Sequence, residues 1–315
     1  MYLQALEIRK QVLGVAHPDY ATSLNNLAEL YKAMGRYSET EPLLVQALNI
    51  RKRVMGKENL DYSSSLNSLA DYYMHIGNHA KAEPLLVGAL DIKKKALGTA
   101  HPDYANSLNN LGELYKAIGN YSKAEPLLLL SLEICKKGLG EAHPHYATSL
   151  HNLAGLYIAM GNYTKAVPLY HQALEITRSV LGDTHPFYAG SLNDFAGLYV
   201  NMSNYVVAEP LYIKAIEVFK NTFGKTHPDY ASSLNNLAVL YYKMGNYSEA
   251  EPLHVRALEF SFHNIKQQFS FLSEKEKELY LKTLNMYFVN LIAIGLKRKE
   301  SNPAITSEVY NHLLK

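Results

Sequence analysis

Residues suited to chemistry recur in this sequence at a fixed interval. His17, His101, His143, His185 and His227 fall on multiples of a 42-residue step. Imidazole is a good zinc ligand, but a zinc site needs its ligands to converge within about 2 Å of one ion. Histidines distributed one per step along an array do not converge, so they predict helix-entry residues and no metal or cofactor. Cys135 is the only cysteine, which excludes an internal disulfide. The sequence has no glycine-rich phosphate loop, nucleophile elbow or paired metal motif, and the expectation is a chain without an active site. A second ladder suits binding rather than catalysis. Asn25, Asn67, Asn109, His151, Asn193 and Asn235 share one phase of the same step. An amide side chain is both donor and acceptor, so it can hold a peptide backbone without reading its side chains.

The elements that must position these residues follow from the same period. Gly14, Gly56, Gly98, Gly140, Gly182 and Gly224 keep it, as do Tyr20, Tyr62 and Tyr104 and the series that begins Pro42, Pro84, Pro126. No insertion breaks the phase up to about residue 258. A period this strict means that each unit packs on its neighbours and the core grows along one axis. Within a unit the pattern is two amphipathic helices. The first starts at Pro18, tolerated in a first turn, with Asp19 favouring the positive end of the helix dipole. Leu24, Leu27, Ala28 and Tyr31 form its apolar stripe, and Gly35 is expected to end it. The second is expected to open near Ser38, with Glu41 completing a capping box and Pro42 near its first turn. Its predicted buried face is Leu43, Leu44, Ala47, Leu48 and Val54.

The size pattern Leu24, Leu27, Ala28, Tyr31, Leu44, Ala47 resembles the tetratricopeptide repeat, with Thr40 where the family prefers alanine. Ala82, Ala124, Ala166, Ala208 and Ala250 restore that alanine. The 42-residue step, with the phrases His-Pro-Asp-Tyr-Ala and Ser-Leu-Asn-Asn-Leu-Ala, resembles the kinesin light chain subclass. The fold expected is all-α: a right-handed superhelical solenoid of antiparallel helix pairs with a helical C-terminal cap. The expected organisation is an orphan second helix over 1–16, six helix pairs over 17–268 and a cap or connector over 269–315. An array that begins inside a repeat predicts a fragment or an N-terminally shortened frame.

The resemblance also implies a site. In this family the first helix of each pair lines a concave surface, and in kinesin light chains asparagines matching the Asn25 series hold bound peptides. Helices pack about 8–10 Å apart and an extended chain rises about 3.3 Å per residue, so one asparagine per repeat meets a peptide about every third residue. The adjacent series, Asn26, Ser68, Asn110, Asn152, Asp194 and Asn236, is expected to be structural. The rest of the stripe changes along the array. Glu29, Asp71 and Glu113 give way to Gly155, Gly197 and Val239; Lys32, Met74 and Lys116 give way to Ile158, Val200 and Tyr242. The groove is therefore expected to be charged at first and apolar later. Acidic residues at 29, 71 and 113 argue against a clamp for a C-terminal carboxylate.

After Leu258 the phase is lost. Ser273 and Glu276 form a capping box ahead of a longer apolar-periodic helix. The run Phe271-Leu272-Ser273-Glu274-Lys275-Glu276 and the later Glu308-Val309-Tyr310-Asn311 resemble the connector that precedes CHAT domains, which are caspase-like proteases. That resemblance implies an alternative role as the regulatory or docking arm of such a protease. Composition narrows the rest. With 31 basic and 29 acidic residues the net charge is +2, which argues against nucleic acid as the main partner. No apolar run approaches the length of a membrane span, and the first residues lack a signal-peptide core. The expectation is a cytoplasmic scaffold whose partner is a protein or peptide.

Overall fold

A computed structural model of the chain describes residues 2–33, 36–225, 227–268, 289, 292–294, 296 and 297. All regular structure among them is helical, and consecutive helices pack in pairs as a tetratricopeptide solenoid. In order these are α1 (Tyr2–Leu13), α2 (Pro18–Ala33), α3 (Tyr37–Met55), α4 (Leu60–His75), α5 (His79–Leu97), α6 (Pro102–Ala117) and α7 (Tyr121–Leu139). They continue with α8 (Pro144–Ala159), α9 (Tyr163–Leu181), α10 (Pro186–Asn201), α11 (Tyr205–Phe223), α12 (Pro228–Met244) and α13 (Tyr247–Gln268). The chain forms two compact units, one up to Leu169 and one from Tyr170.

The even-numbered helices start on a repeated cap. His101 and His143 hold extended backbone at N-cap, and each Nδ1 accepts the backbone N–H two residues on, at 3.1 Å. His185 and His227 do the same for α10 and α12. Proline follows, where its missing donor has no intrahelical partner to lose. The histidine ladder thus closes helix N-termini.

The second helices open near the expected position but on a different cap. α3 begins at Tyr37 with Arg36 at N-cap and no side-chain cap bond from it, so Ser38 lies inside the helix rather than at its cap. Glu41 instead accepts from the Tyr73 hydroxyl at 2.6 Å, across to α4. In α5 and α7 the caps are Asn78 and Asn120, which accept from the backbone N–H of Lys81 and Lys123. Pro42 is the sixth residue of α3, just after its first turn, as expected. The predicted face of α3 also needs revision. Val54 is exposed, whereas Ile50 and even Arg51 are buried. The reason is that α3 packs on two sides. Ala47, Ile50 and Leu43 meet Tyr20, Ala21 and Leu24 of α2, while Leu48 packs beside Leu66 of α4.

Arg51 shows how neighbouring repeats are tied. Its Nη1 donates to Ser65 Oγ at 2.8 Å and to the Asp61 carbonyl at 3.2 Å, and its Nη2 donates to Thr22 Oγ1 at 3.0 Å. Burial pulls its pKa down, with Asp61 opposing. Cys135, two repeats on at the same phase, is fully buried with Ser149 Oγ 3.6 Å away. Thr40, at the alanine position, is also fully buried; its hydroxyl donates to the Arg36 carbonyl.

The loops inside the pairs turn on left-handed residues. Gly77, Gly119, Gly161 and Gly245 have φ between 71° and 81°, and Ser203 adopts φ 58° at the matching place. Gly35 lies outside the described residues. So does nearly all of the expected C-terminal cap, including Phe271, Ser273, Glu276 and the phrase Glu308–Asn311.

Candidate binding groove

In the first unit, α2, α4 and α6 present their polar stripes to one groove of about 440 Å³. Its lining includes Glu29, Asn67, Ser68, Asp71, Asn110 and Glu113, with Met74 and Leu86 as apolar floor. The volume lies within the roughly 300–1,000 Å³ of ligand clefts. Residues three or four apart share a helix face. That is why Asn67, Asp71 and Met74 reach the groove from one helix, and why Asn25 and Asn109 sit one turn before groove residues Glu29 and Glu113.

Charge in the groove is organised along and between helices. The Lys32 ammonium meets Glu29 at 2.5 Å and bonds Asp71 of the next repeat. Burial lowers the Lys32 pKa, but the bonds to Asp71 and Glu29 outweigh it, and the net shift is upward. Lys116 Nζ donates to Glu113 Oε2 at 2.5 Å. Both lysines expected to greet a ligand are thus already engaged by carboxylates.

The asparagine ladder is more buried than an open gripping surface would be. Asn25, Asn109 and Asn235 are 9%, 3% and 7% exposed. Asn109 Nδ2 donates to Ser149 Oγ at 2.9 Å in the following repeat, so its donor half has a structural role. The acceptor half differs. Oδ1 of Asn25, Asn67, Asn109 and Asn235 has no hydrogen-bond partner among the described residues. His151 is half-buried on α8. In the second unit Asn193 Oδ1 accepts from Asn236 Nδ2 at 3.4 Å, so the two asparagine series touch there.

The apolar part of the stripe is packed rather than open. Val200 is 9% exposed and shares a cluster with Ala196, Tyr212, Leu237 and Leu240, so it presents little surface to a ligand. Tyr242 is half-buried against Tyr247, at 5.4 Å between ring centroids, and Ile158 is half-buried on α8.

A further set was not anticipated from sequence. Tyrosines one repeat along donate to glutamates of the preceding second helix: Tyr73 to Glu41, Tyr115 to Glu83 and Tyr157 to Glu125 in the first unit, Tyr241 to Glu209 in the second. Lys81, Lys123 and Lys165 lie 4.8 Å above the rings of Tyr73, Tyr115 and Tyr157. Both series keep the 42-residue step, and that shared period is the signal that could have paired them. Among the described residues no three of His, Cys, Asp or Glu gather as metal ligands, and no helix is long and apolar enough to cross a membrane.

Known proteins place this architecture. The tetratricopeptide repeat family model matches residues 1–53, 61–137, 145–205 and 189–261. Kinesin light chain-like, nearly identical TPR-like repeats from Podosopora anserina, in a form carrying one substitution, are 30% identical with a TM-score of 0.52. That match covers 65% of this chain and 97% of the other. The same repeats without that change are 29% identical, TM-score 0.51, covering 66% and 98%. BtubC (BKLC) from P. vanneervenii shares the fold at 23% identity and TM-score 0.56, over 73% of this chain and 90% of that one. A search of curated proteins finds no match. Helix pairs of fixed length, shared caps and a family match over most of the sequence lead to one conclusion: the chain belongs to the tetratricopeptide repeat family, in its kinesin light chain-like form.

Proposed function

We propose that this protein-interaction scaffold binds an extended peptide segment in the groove of α2, α4 and α6, and that it performs no chemistry on it. The observation that supports this most is the groove itself. Three successive first helices contribute to it, and two of its lining residues carry buried acceptor atoms with no donor among the described residues: Asn67 Oδ1 and Glu113 Oε1. A buried acceptor without a donor costs roughly 1–3 kcal/mol, and a peptide's backbone N–H groups are the kind of donor that removes this cost. Repeats that each offer one such atom favour an extended ligand over a compact one.

The test uses random peptides displayed on phage and panned against the full chain. Enriched peptides are then titrated against wild type and Ser68→Trp. Ser68 is half-buried in the groove lining, so the indole fills the cleft without entering the core. A loss of about tenfold or more is expected, with the helical signal unchanged. Equal affinity for both proteins would exclude the groove as the binding site.

A further inference from the structure

The groove of the first unit carries an unbalanced charge pattern. At one phase of the repeat stand Glu29, Asp71 and Glu113; one helical turn on stand Lys32, Met74 and Lys116. Two ammoniums therefore serve three carboxylates. Lys116 pairs with Glu113, and Lys32 is shared between Glu29 and Asp71. At the centre, beside Asp71, the position that holds lysine in the flanking repeats is a methionine. Asp71 is the most exposed of the three carboxylates, at 62% for the side chain.

The unpartnered acceptor atoms point the same way. Asn67 Oδ1 and Glu113 Oε1, both from the lining, are buried acceptors with no donor among the described residues. Asn25 and Asn109 are more than nine-tenths buried, on the same helix faces as groove residues Glu29 and Glu113, and their Oδ1 atoms are also without donors. What this groove lacks is matching positive charge. Apolar surface is present too, from half-buried Met74.

We infer that the groove accepts a lysine or arginine side chain of the bound segment, its charged end beside Asp71 and its methylene stem along Met74. This inference rests on the peptide-groove reading above. An ammonium or guanidinium restores charge balance and supplies several donors, while the stem covers the thioether. Arginine suits the site better, because five donors in a planar fork can address a carboxylate and an amide oxygen together. An acidic ligand meets the uncompensated carboxylate and is disfavoured.

The decisive variant is Met74→Lys, which installs the residue that Lys32 and Lys116 already represent at this phase and so suits the fold. Its melting temperature and helical signal are compared with wild type. Peptides enriched on the wild-type chain are expected to share a lysine or arginine. Replacing that cation by glutamine, or using Met74→Lys, should each weaken binding about tenfold. Affinity should also fall with rising salt. Enriched peptides without a cation, or cationic peptides indifferent to Met74→Lys, overturn this inference while Ser68→Trp sensitivity preserves the groove. Peptides indifferent to both variants, or no enrichment at all, overturn the groove reading and this inference with it.

Discussion

Ser203 is the one non-glycine among the described residues with positive φ, at 58°, in a turn where the other repeats place glycine. A side chain in the left-handed region costs roughly 1–2 kcal/mol. Ser203→Gly is therefore expected to stabilise the second unit by about 1 kcal/mol, read as a higher urea midpoint at unchanged slope; no gain would show that local contacts relieve the strain. His254 is a second local departure. It occupies the phase of Leu44, Leu86 and Leu128, is 1% exposed, and neither ring nitrogen has a partner among the described residues. Burial lowers its pKa to about 4. Below its ordinary pKa near 6.5 the unfolded chain binds the proton that the folded chain refuses. Stability present above about pH 6.5 is therefore lost as pH falls towards about 4, by on the order of 3 kcal/mol. His254→Leu should flatten that acid limb; an unchanged pH profile would contradict the assignment. Both positions were visible in the sequence as breaks in a periodic series. Their sign was not, because strain depends on φ and a pKa on burial.

At the scale of helices, the recurring joint is a second-helix glutamate accepting from a tyrosine of the next first helix. Tyr115→Phe removes one such bond, at 2.8 Å to Glu83, without changing packing. The expected loss is about 1 kcal/mol, with Glu83→Gln giving a similar value and the double variant less than the sum. Fully additive losses would mean that the two side chains act independently. Helix limits, cap histidines and the leucine stripe of α2 were legible because they obey local rules of spacing and backbone geometry. The Glu41–Tyr73 bond was not, since its partners lie 32 residues apart and meet only when repeats stack. Glu41 satisfies the local rule for a capping box equally well, and tertiary contact decides between them. Val54 likewise fits the apolar period of α3, yet the two-sided packing of that helix leaves it outside.

For the whole chain, near-balanced charge hides a consistent alkaline dependence. Tyr73 and Tyr157 in the first unit, and Tyr212 and Tyr241 in the second, have phenol pKa values pushed up to about 12 by burial, then by glutamate or, for Tyr212, Asp194. Above about pH 10 the unfolded phenols ionise while the folded ones keep their protons, so stability falls between about pH 10 and 12. The slope is up to about 1.4 kcal/mol per pH unit for each group. Thermal melts from about pH 8 to 11.5 should show this steep decline, and Tyr73→Phe should make it shallower; a flat profile would refute it. The 42-residue ladder by itself determined the helix pairs, the family and the place of the polar stripe, because repetition imposes local periodicity that no neighbour has to supply. Tertiary structure alone decided what that stripe offers. Stacking α2, α4 and α6 buries Asn25 and Asn109, engages both lysines and leaves acceptor atoms of the stripe without donors among the described residues. Packing with Ala196, Tyr212, Leu237 and Leu240 turns Val200 inward. Such outcomes depend on which atoms fill the space between repeats, and spacing along a chain does not encode that directly.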